Sequence, residues 1–63
     1  MSAIPTAIAA RIAARANREG WAEVLGRPVT ARDVADAWRD GTHEHESFAS
    51  FVLQEAEDYG VRT

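Results

Sequence analysis

Thr30-Ala31-Arg32-Asp33-Val34-Ala35-Asp36-Ala37-Trp38-Arg39-Asp40-Gly41 is the stretch whose reading decides the fold. Ala31, Val34, Ala35 and Trp38 recur at the three- and four-residue intervals of one helical face. Threonine followed three residues later by an acid is a capping-box start, although aspartate is a shorter substitute for the usual glutamate. Asp40-Gly41 supplies a stop. The spacing predicts a helix over 30–40.

The flanking segments read the same way. Ile4, Ile8 and Ile12 recur every four residues beside Ala9, Ala13 and Ala16, which gives one apolar stripe on a helix over 3–18. Ser2 is its expected cap. Pro5 is tolerated in the opening turn, where N–H groups lack helical partners anyway. Ala7, Ala10 and Ala14 fill the opposite side and permit close approach of another helix. Gly20 ends or bends this helix, and Trp21, Val24 and Leu25 mark a short second one over 20–25, stopped by Gly26 and Pro28. Downstream, Thr42 is expected to cap a helix over 43–59, with Glu44 and Glu46 at its dipole-favoured start. Phe48, Val52, Ala56 and Tyr59 form the inward stripe, Phe51 and Leu53 widen it, and Gly60 ends it. No stretch alternates long enough to argue a strand. The expected fold is all-α, a compact mini-domain of about four short helices in one domain, 1–63.

A 63-residue chain without cysteine has little core and neither a disulfide nor a thiolate metal site to reinforce it. Such a core rarely leaves more than about 3–5 kcal/mol once conformational entropy is subtracted. Self-association or docking on a larger partner is the natural further source of stability. The isoleucine stripe and the alanine side of the first helix cannot both be buried in one small monomer, so a homodimer formed through that helix is expected. Two tryptophans are also hard to bury fully at this length. One of them, or Phe51, should stay partly exposed as an interface anchor.

The charge is polarised. Residues 1–32 carry five arginines against two glutamates, a net of +3, and residues 33–63 carry two arginines against eight acids, a net of −6. The net charge of −3 argues against general nucleic-acid affinity. No run approaches the roughly 20 apolar residues of a membrane span, nor does the N-terminus read as a secretory signal. The cytoplasm is the expected location.

Arg11, Arg15 and Arg18 fall within an arc of about 60° on the first helix. That stripe can meet phosphates, an acidic protein surface, or the acidic fourth helix of the same fold or of a dimer mate. On the fourth helix, Glu44, Glu55 and Asp58 project near the side of Phe51. Asp33, Asp36 and Asp40 form a row with steps of about 4.5 and 6 Å, comparable with phosphates along a strand. The plainer reading is a solvated face partly neutralised by Arg32 and Arg39.

His43-Glu44-His45-Glu46 lacks the i, i+4 histidine spacing of metal-binding helices; on a helix, His43 and His45 would point about 200° apart. No metal or other cofactor is expected. Ser2, Ser47 and Ser50 sit in no nucleophile motif, and the four glycines are too scattered to cradle a phosphate. A helix-turn-helix reading fails because the segment placed to enter the groove holds five acids and no arginine or lysine through Tyr59.

The expected function is therefore that of a small non-enzymatic protein-binding regulator. Composition resembles, by analogy only, phage- or plasmid-borne inhibitors that dock on a larger host protein or nucleoprotein complex. Its acidic face would imitate nucleic acid. Arg11, Arg15, Arg18, Asp33, Asp36, Asp40 and Phe51 are the candidate contact residues. The alternative is a nucleic-acid-binding transcriptional regulator using the Arg11/Arg15/Arg18 stripe.

Overall fold

The structure is a computed structural model, and it describes residues 3–41 and 43–61. Among these the chain forms four helices: α1 (Thr6–Arg18), α2 (Trp21–Leu25), α3 (Ala31–Asp40) and α4 (Glu46–Asp58). The all-α expectation holds, with corrections at the helix ends. Pro5 is the N-cap of α1 rather than part of its first turn, with φ −59° and ψ 137°. Its extended ψ keeps residues 3–5 out of the helix. Ser2 and Thr42, the expected caps of the first and last helices, lie outside the described residues.

α3 begins as its sequence predicts. The Asp33 N–H donates to Thr30 Oγ1 at 3.2 Å, and the Thr30 N–H donates to Asp33 Oδ2 at 2.9 Å, a complete capping box. Gly41 closes the helix at φ +68°, a left-handed value that a side chain would strain. Gly20 does the same service between α1 and α2 at φ +93°. The turn it allows leads into α2, whose Trp21 packs against Phe48 and Phe51 of α4.

α4 starts at Glu46, three residues later than expected, with His45 at its N-cap and no side-chain cap. His43 and His45 therefore precede the helix, and the predicted divergence of their rings does not occur. The rings stack with centroids 5.7 Å apart, and His43 also meets the ring of Phe48 edge-on at 4.9 Å. The His45 N–H donates to His43 Nδ1 at 3.0 Å.

α1 packs most extensively on α3, and α4 closes over both. The buried alanines Ala9, Ala13 and Ala16 leave room for that approach. Phe48, Ile12, Val34 and Val52 are the largest fully buried side chains, with Trp38 beside them. Ala37 belongs to the core too. Ile4 and Ile12 are buried and Ile8 half-buried, so the isoleucine stripe is spent inside the monomer, whereas Ala7, Ala10 and Ala14 stay exposed. Tyr59, expected inward, is 42 % exposed because α4 ends at Asp58 and the chain turns away. No helix among the described residues is long and apolar enough to cross a membrane.

Candidate functional site

The aspartate row of α3 is committed to arginines of the same chain. Arg27 grips Asp33 with two parallel hydrogen bonds, Nη1 to Oδ2 at 2.5 Å and Nη2 to Oδ1 at 2.6 Å. Asp33 is held at a pKa of about 2, chiefly by the Arg27 hydrogen bond and further by Thr30, against the opposing effect of burial. Asp36 faces Arg39 Nη2 at 3.0 Å and Arg32 Nε at 3.8 Å, and Asp40 faces Arg39 Nε at 3.3 Å. The row is thus a ladder of alternating sign rather than an open line of negative charge.

The arginine stripe of α1 divides. Arg15 donates from Nε to Glu19 at 2.7 Å, and its Nη1 lies 3.4 Å from Glu55 of α4. Its pKa is raised by the Glu19 hydrogen bond first and by Glu55 next. Glu55 is buried, and its pairing with Arg15 is the contact of the stripe with the fourth helix of the same fold that the sequence offered as one alternative. Arg11 and Arg18 are exposed and make no ion pair among the described residues.

The remaining surface feature is aromatic. Trp21 is half-buried against two rings of α4, with centroids 5.5 Å from Phe48 at 65° and 5.4 Å from Phe51 at 38°. Phe51 is itself half-exposed. One turn along α2, within about 60° of Trp21 around the helix axis, stands Val24, 50 % exposed. Trp21 is therefore held from behind by a buried phenyl ring while part of its own surface faces solvent. The expected partial exposure of a tryptophan or Phe51 is met by Trp21 and Phe51 together. Trp38 is the buried one.

Sequence reading missed Asn17. Its Nδ2 donates to the Val29 carbonyl at 3.0 Å and its Oδ1 accepts from the Val29 N–H at 2.9 Å, stapling the end of α1 to the approach of α3. The signal was present as the single asparagine of the chain, set inside a helix that otherwise favours alanine.

A groove between the end of α3 and α4 is lined by Gly41, His43, Glu46, Ala49, Ser50 and Leu53. No group of three or more His, Asp or Glu among the described residues could hold a metal ion. Compared with family models, curated proteins and solved structures, the chain matches none.

Proposed function

We propose that the protein is a non-enzymatic binding module that docks on a larger protein through the Trp21–Val24–Phe51 surface. One observation carries the reading. An aromatic pair is held in fixed geometry at the surface of a domain too small to waste apolar area. Rigid aromatic anchors lose little entropy on binding and dominate interface energetics. The partner's side of the contact is an apolar cleft wide enough for an indole. A regulator of the phage or plasmid type, acting in the cytoplasm as an inhibitor, is the specific form of this reading, supported by composition alone.

The acidic mimic of nucleic acid has less support, since arginines accompany each aspartate of its α3 row. Direct binding of nucleic acid is the second reading, favoured by Arg11 and Arg18, which make no ion pair among the described residues. Two guanidinium groups about 10 Å apart along the axis are few for a polyanion. Affinity capture from the native host, with mass spectrometry, separates these readings when wild type and Val24→Asp are run side by side. The docking reading requires a protein retained by wild type and lost by a folded Val24→Asp. Tight, steeply salt-dependent binding of duplex DNA, lost in Arg11→Ala/Arg18→Ala, would replace it.

A further inference from the structure

Two side-chain stripes run next to each other at the same spacing, Arg11, Arg15 and Arg18 on α1 and Phe51, Glu55 and Asp58 on α4, each at i, i+4, i+7. The Arg15–Glu55 pair joins them at the middle. As the chain runs from Arg15 to Trp21, its neighbours on α4 run back from Glu55 to Phe51 and Phe48, so the two helices are antiparallel there. Arg11 lies about 6 Å from Arg15 along α1, and Asp58 about 4.5 Å from Glu55 along α4, both toward the same end. Arg18 and Phe51 lie toward the other end by similar amounts.

Arg11, Arg18 and Asp58 are exposed and make no ion pair among the described residues, while Phe51 offers part of its ring to solvent. We infer that this α1–α4 face pairs with a second copy of itself about a two-fold axis lying along the seam. Such an axis lays α1 of each copy on α4 of the other at unchanged height. Arg11 then meets Asp58 of the other copy, and Arg18 meets the ring of its Phe51, a cation over an aromatic face. Every contact occurs twice. A standard interface takes about 800 Å² from each partner, against a whole surface here of 4172 Å² with a longest extent of 29 Å.

The inference rests on the docking reading in one respect, that Phe51 is a contact residue. It deepens that reading by making the second copy the occupant of Phe51 until a larger partner displaces it. It also moves the expected dimer contact from the apolar stripe of α1, which the monomer buries, to the charged seam.

Charge reversal tests it at one fixed ionic strength, because each copy carries a net −3 and general repulsion varies with salt. Wild type should sediment at twice 6.9 kDa at high micromolar concentration. Arg11→Asp alone and Asp58→Arg alone should each sediment as monomers with unchanged helicity. Mixed one to one they should form a heterodimer, because both crossed contacts are then restored, and the double variant R11D/D58R should dimerise by itself. A wild type that stays monomeric, or single variants that dimerise as wild type does, overturns the inference. A monomeric wild type that still captures a partner lost by Val24→Asp leaves the docking reading standing. A dimer with the charge-swap behaviour that captures nothing else does the reverse.

Discussion

Asn17 and Asp33 show how much of this fold depends on single polar side chains. Asn17 gives the Val29 backbone both a donor and an acceptor, so Asn17→Ala leaves two part-buried groups unpaired. The expected loss is about 1–3 kcal/mol in chemical denaturation; an unchanged midpoint would mean water replaces the side chain at no cost. Asp33 combines a cap with a two-pronged arginine pair. Its side chain is 12 % exposed and its pKa falls from 3.8 to about 2. A depressed carboxyl contributes stability above its unfolded pKa and loses it as pH falls through the folded value. That gives on the order of 2 kcal/mol at neutral pH, lost between about pH 4 and pH 2. Thermal melts over that range should fall more steeply for wild type than for Asp33→Asn, which is already destabilised at pH 7. The capping box was legible because its spacing is local. The Arg27 contact was not, since six residues and a Gly26–Pro28 turn separate the partners, and no helical periodicity relates them.

Helix identity was legible from apolar spacing in all four elements, and the ends of α3 from its local capping box and Gly41, whereas the start of α4 depended on contacts that spacing cannot express. α4 illustrates this. Its first turn was expected at 43, but the His43 ring packs on Phe48 and its Nδ1 takes the His45 N–H, which holds residues 43–45 out of the helix. The far end of α4 is electrostatically unfavourable, with Glu57 and Asp58 in a last turn that contains no basic residue. Glu57→Lys removes a negative charge from the dipole's negative end and should stabilise by about 0.3–1 kcal/mol at low salt. For a domain this size that is a rise of a few degrees in melting temperature. Melts at low and high salt check it, and a gain that persists undiminished at high salt would point away from the dipole.

At the scale of the molecule, the polarity of +3 against −6 was plain in the sequence, but its destination was not. Much of it is consumed internally, by Arg15 with Glu55 across α1 and α4 and by Arg27, Arg32 and Arg39 along α3. What survives at the surface includes Arg11, Arg18 and an aromatic pair. The intact protein should therefore bind duplex DNA weakly or not at all at physiological salt, which a fluorescence titration checks. The candidate Phe51 was visible as an aromatic too many for so small a core. Its companion Trp21 gained its role only from the turn at Gly20. The most direct test of the docking claim compares association kinetics of the captured partner with three chains: wild type, Asp36→Asn/Asp40→Asn and Val24→Asp. The aspartate pair should leave the dissociation rate unchanged, and Val24→Asp should raise it at least tenfold, about 1.4 kcal/mol of lost contact. Binding that survives Val24→Asp and fails in the aspartate pair would contradict that claim.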